Sequence, residues 1–163
     1  MLTEREVIST LDMLRSEHLD VRTVTLGLNL FDCASDNFET FAYRVRSKIN
    51  HRHAKNLVAI CNEVGDRYGI PVVNKRITVS PIGTVCAGYS RDQMVKVCKL
   101  LDDCATDAGV DFLGGFGALV EKGITPGERN LIDALPEALA TTNHVCSSIN
   151  VGRTRTGINM DAV

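Results

Sequence analysis

Polar caps followed by apolar residues at helical spacing recur along the chain, and each such stretch gives way to a run rich in β-branched residues. Four starts carry capping-box chemistry, in which a short polar side chain accepts from the N3 amide and the residue three further on reaches back. They are Thr3 with Glu6, Asp36 with Glu39, Ser90 with Gln93, and Thr125 with Glu128, the last with Pro126 at the favourable N1 position. Apolar residues then repeat on one helical side: Val7, Leu11 and Leu14; Leu57, Cys61 and Val64; Met94, Val97, Leu101 and Cys104; Leu131, Leu135 and Leu139. Strands are predicted over Val21–Leu28, Val72–Val79, Val110–Val120 and Val145–Val151. Gly69 and Gly109 stand where helices stop just ahead of a strand.

Helix and strand alternate, so the fold class is α/β, with parallel strands joined by right-handed crossovers. Four strands are too few to close a parallel barrel, which predicts an open sheet or a piece of something larger. Unpaired outer strands also predict self-association as a homo-oligomer. Asp36–Arg67 would run about 48 Å as one helix, so a break or an overhang is expected there. Thr156–Asn159 reads as a turn opening another helix.

Composition narrows the function classes. The 163 residues carry 18 Lys plus Arg against 20 Asp plus Glu, a net charge of -2 that lacks the basic excess of a nucleic-acid binder. Hydrophobic residues make up 44% and charged ones 23%, the balance of a folding chain. Aromatics supply only 5%, so the core must rest on aliphatics, Ala and Cys. No apolar run is long enough for a membrane span, and the charged opening MLTEREVIST is unlike a signal peptide, so the expected location is cytoplasmic. The six cysteines sit mostly within apolar periodic segments and are expected to be reduced.

Ligand-facing residues of parallel α/β folds cluster at the carboxyl ends of strands. That rule selects Asn29, Asp32 and Cys33 after the first strand, Ser80 after the second, and Glu121 and Lys122 after the third. From the fourth come Ser147, Ser148, Asn150 and Arg153, with Asn159 and Asp161 close behind. Lys75 and Arg76 stand out, because a strand covered on both faces should not carry adjacent cations without compensation. Since neighbouring strand residues point to opposite faces, only one of the two can face a barrel interior. Gly114-Gly115-Phe116-Gly117 departs from GxGxxG at Val120 and is read as a bend rather than a nucleotide cradle. His144 and Cys146 share a strand face but stand too far apart to pair directly; Cys146 is read as buried and inert, and Cys33 as the more accessible thiol. His51 and His53 lie two apart and no CxxC, HxxH or HExxH spacing occurs, so no metal site is assigned.

The segments VRTVTLGLNLFDC (21–33), YGIPVVNKRITVSPI (68–82), GVDFLGGFGALVEKG (109–123) and VCSSINVGRTRTGINMDAV (145–163) resemble one family throughout. It is that of the uncharacterised bacterial and archaeal "PFL family" proteins, Uncharacterised Protein Family 0210, whose members are several times longer. The resemblance implies the N-terminal portion of a pyruvate formate-lyase-like α/β barrel, with no assigned activity or cofactor. No stretch matches a radical-bearing glycine loop; Gly157 does not, so glycyl-radical chemistry is not inferred. The leading expectation is an enzyme-like barrel binding a small anionic metabolite: Lys75, Arg76 and Arg153 orient the anion, and Asn29, Asp32, Ser147 and Asn150 form the polar lining. The alternatives are a non-catalytic sensor working with an ACT-domain regulatory protein, which the resemblance suggests as a partner, and an inactive fragment.

Overall fold

The computed structural model describes residues 3–16 and 20–163; the side chain of Leu14, expected on the first apolar stripe, lies outside that description. Strands β1 (Val21–Leu28), β2 (Val72–Val79), β3 (Phe112–Leu119) and β4 (Val145–Asn150) fall on the four predicted runs. All pair in parallel, in the order β1-β2-β3-β4. Right-handed crossovers that advance one strand at a time in one direction bring every connecting helix to the same side of a sheet. The burial pattern agrees. Ile77, Val79, Leu113, Phe116 and Ala118 are buried against the helices, whereas Thr25, Thr78, Cys146, Ser148 and Asn150, on the opposite face, are exposed.

The helices are α1 (Glu4–Ser16), α2 (Phe38–Arg46), α3 (Leu57–Tyr68), α4 (Ile82–Val85), α5 (Arg91–Ala108) and α6 (Pro126–Ala140). Reciprocal capping boxes open α5 and α6, and Thr3 and Glu6 pair in the same way ahead of α1. The second start shifts by one residue: Asn37, not Asp36, caps α2, its Oδ1 accepting from the Thr40 amide at 3.0 Å. Either side chain offers the same acceptor, and the Ser35 hydroxyl, accepting from the Asn37 amide, turns the chain at the later position. The long segment breaks as expected, by passing through a π-helix at Ser47–His53. α4 has one turn, too short to leave a periodic signal. Met94, Val97 and Leu101 of α5 and Leu131 of α6 fill the core between helices and sheet.

One expectation about the elements is corrected. Thr156–Asn159 does not open a helix: β5 (Gly152–Arg153) and β6 (Gly157–Ile158) form a small antiparallel hairpin, with a 3-10 turn after it at Met160–Ala162. Gly157 at φ 73° supplies the turn conformation, and the Asn159 amide group donates to the Val120 carbonyl at 2.7 Å, holding the hairpin against the end of β3. The glycine run of β3 is a β-bulge. Gly115, at φ 109°, is the extra residue, and it allows Leu113 and Phe116, three apart, both to face the helices.

Candidate functional site

Register places the strongest cluster on the helix-free face. Thr25, Arg76 and Phe112 lie abreast on β1, β2 and β3, and in the next row Gly27, Thr78, Gly114 and Cys146 do the same across all four strands. Thr25, Arg76, Thr78, Phe112 and Cys146 line a cleft of about 340 Å³. The Arg76 guanidinium stands 5.2 Å from the centre of the Phe112 ring, which steadies the cation from one side. Its Nε is buried and has no hydrogen-bond partner, and no carboxylate pairs with Arg76 among the described residues. β2 tolerates its two cations because only one of its faces is covered, which removes the premise of a doubly buried strand.

The other predicted residues do not join Arg76. Lys75 points to the helix side, in a cleft with Cys61, Asn62 and Asp66 of α3, while its backbone amide donates to Asp111 at 2.7 Å. Ser147 also faces the helices, its hydroxyl buried without a partner. Asn150 ends β4 exposed on the open face. Arg153 is engaged: its Nη2 lies 2.5 Å from Oε1 of Glu121, a side chain only 6% exposed whose Oε2 has no partner.

At the end of β1, Asn29 Oδ1 accepts from the Phe31 amide and Asp32 pairs with Lys48. Both Asp32 oxygens lie within 2.7 Å of Lys48 Nζ, and that hydrogen-bonded ammonium holds the Asp32 carboxyl below its usual range. Sequence reasoning missed Thr25, Thr78, Phe112 and Lys48. None of the first three lies at a carboxyl end: Thr25 and Thr78 sit within β1 and β2, Phe112 opens β3 at its amino end, and only strand register aligns them with Arg76. Lys48 lies on a helical segment 19 positions after Asn29, and only the fold returns it to the carboxyl end of β1. Among the described residues, no three His, Cys, Asp or Glu side chains gather as a metal centre would require.

A family model described as "Uncharacterised ACR (DUF711)" matches residues 12–163. The chain belongs to the DUF711 family. A UPF0210 protein from Oleidesulfovibrio alaskensis is 70% identical over 163 residues, covering 100% of this chain and 36% of the relative. One from Desulfovibrio desulfuricans is 67% identical over 163 residues, 100% of this chain and 35% of the relative. The archaeal UPF0210 protein of Methanosarcina barkeri is 49% identical over 162 residues, 99% of this chain and 36% of the relative. The DUF711 chain thus spans 35% to 36% of the length of these relatives.

The cysteines of the DUF711 chain are unpaired, and they reverse the expected pattern of access. Cys33, Cys61, Cys86, Cys98 and Cys104 are buried, whereas Cys146 is exposed because its strand face carries no helix. Cys33 turns inward from its 3-10 turn, Phe31–Cys33, into the core. Burial pushes the Cys86 and Cys104 thiols up to about 12 and Cys98 up to about 11. A thiol reagent is therefore expected to label Cys146 rapidly in the native protein and the other five only on unfolding; rapid native labelling of Cys33 would contradict this order. No helix among the described residues is long and apolar enough to cross a membrane.

Proposed function

We propose that this chain supplies a sector of a pyruvate formate-lyase-like α/β barrel in a cytoplasmic, homo-oligomeric protein, and that its helix-free face binds a small anionic metabolite through Arg76. The observation that carries this reading is the state of Arg76: a partly buried guanidinium, backed by Phe112, with a buried Nε that no protein group satisfies. A buried donor without a partner is costly, and an anion resting on the fork would use the donors the protein leaves open. Thr25 and Thr78 flank it with hydroxyls that adapt to either donor or acceptor on the ligand. Helices on one face only, in sequential strand order, support the barrel reading, in which this face is the inner one. The role assigned to the face is binding and orientation of the anion, with no glycyl radical. Lys75, Ser147 and Arg153, turned to the helices or held by Glu121, are left out of the clamp.

Malonate is a suitable carboxylate probe. Arg76→Met is expected to weaken malonate binding, followed calorimetrically at low ionic strength, by about tenfold or more, since a charge-assisted hydrogen bond is lost. The denaturation midpoint should barely move. Lys75→Met should leave the affinity as it is. Unchanged malonate affinity in Arg76→Met would remove the clamp.

A further inference from the structure

The π-helix between α2 and α3 arranges a second set of cations. Residues Ser47–His53 follow i to i+5 bonding, closed where the Ala54 amide donates to the Ile49 carbonyl at 2.8 Å. In an α-helix of 3.6 residues per turn, the residue five after Lys48 would point well away from it. The wider π turn brings residues four and five further on, Arg52 and His53, to the same side as Lys48, and Arg44 stands one turn before on α2. All four line one cleft of about 440 Å³ at the carboxyl end of β1, with Asp32 and Ser47. Such π turns occur disproportionately at functional sites.

The cleft has a spent acid and unspent cations. Lys48 Nζ gives its three donors to the Asn29 carbonyl at 2.5 Å and to the two Asp32 oxygens at 2.5 and 2.7 Å. Asp32, the lining carboxylate, is thereby neutralised. Arg44 uses one arm on the Ala34 carbonyl at 3.1 Å, which fixes its direction. The Arg52 and His53 side chains have no hydrogen-bond or ion-pair partner among the described residues.

We propose that this cleft binds the phosphate group of a small phosphate monoester, with Arg44 and Arg52 as charge-assisted donors, His53 and Ser47 completing the ring, and the Lys48–Asp32 pair as a fixed support. Separate basic groups converging from two turns suit a dianion with three free oxygens better than a planar carboxylate, which one Arg fork satisfies. The volume is of small-ligand size, and a chain of net charge -2 offers no basic track for a polyanion. The site shares no lining residue with the Arg76 cleft and stands independently of the function proposed for it.

Calorimetric titration with inorganic phosphate and with glycerol 3-phosphate, at constant ionic strength in chloride, tests the assignment. Arg52→Gln is the decisive variant, because Arg52 is exposed and holds nothing else in place; it should weaken both ligands by about tenfold, the loss of a charge-assisted hydrogen bond. Arg44→Gln should do the same, with its denaturation midpoint checked because of the Ala34 contact. Arg129→Gln, in the cleft beside β6, should leave phosphate affinity unchanged. The proposal is overturned if Arg52→Gln binds phosphate as the wild type does, or if Arg129→Gln weakens it equally, the mark of a diffuse charge effect. Binding to phosphatidate vesicles that glycerol 3-phosphate cannot displace would also overturn it, in favour of a lipid surface.

Discussion

Gly115→Ala is expected to cost about 4 kcal/mol of folding stability, combining strain at positive φ with overpacking. Gly115 sits at φ 109°, and a Cβ there would run into the carbonyl oxygen of Val79 on the neighbouring strand. Backbone oxygen cannot step aside as a flexible side chain can. If the strand relieved the clash by losing its bulge, the alternation would carry Phe116, fully buried, out to the open face. Gly114→Ala is the control: its Cβ would meet only the Thr78 hydroxyl at 3.7 Å, an ordinary contact, and the cost should stay below about 1 kcal/mol. Urea unfolding of the two variants decides, and equal midpoints would mean that the bulge does not set the register.

Arg153→Met is expected to lose about 2 kcal/mol, for a reason that a second substitution exposes. Removing one partner of a buried pair leaves the other charge without compensation, which costs several kcal/mol in a dry site. Here Glu121 is 6% exposed but Arg153 is 47% exposed, and water on the arginine side reduces the figure. Since Glu121 Oε2 has no partner either, Arg153 is the carboxylate's one polar anchor among the described side chains. Arg153→Met combined with Glu121→Gln should recover most of the loss, and a double-mutant cycle in urea measures the coupling. Additive losses would show that the two side chains act separately.

The alternation of elements was legible because caps, glycine stops and apolar spacing all act within a few residues. β1 and β2 match their predicted limits, and the capping boxes at Ser90 and Thr125 form as the sequence predicts, while that at Asp36 gives way to an Asn37 cap. Long-range geometry was not legible. That β2 is covered on one face depends on strand order, and that Gly115 is a bulge depends on where the Val79 carbonyl lies. The candidate residues show the same division. Alternation alone separates Lys75 from Arg76, but Thr25 and Phe112 reach Arg76 only through the register of β1 and β3. The Lys48–Asp32 pair spans 16 positions and starts from a π turn, whose wider bonding leaves no apolar period in the sequence.

The strand order has a consequence for how the chain reaches this state. Each strand pairs with the one made just before it, so no strand waits for a distant partner to be synthesised. Closure between neighbours spans one crossover at a time, keeping the entropy of each step modest. A nascent chain emerging from the ribosome can add one strand-helix layer after another to an edge already in place. Among the described strands β4 keeps one edge unpaired, the same hydrogen-bonding template that β1 offered β2.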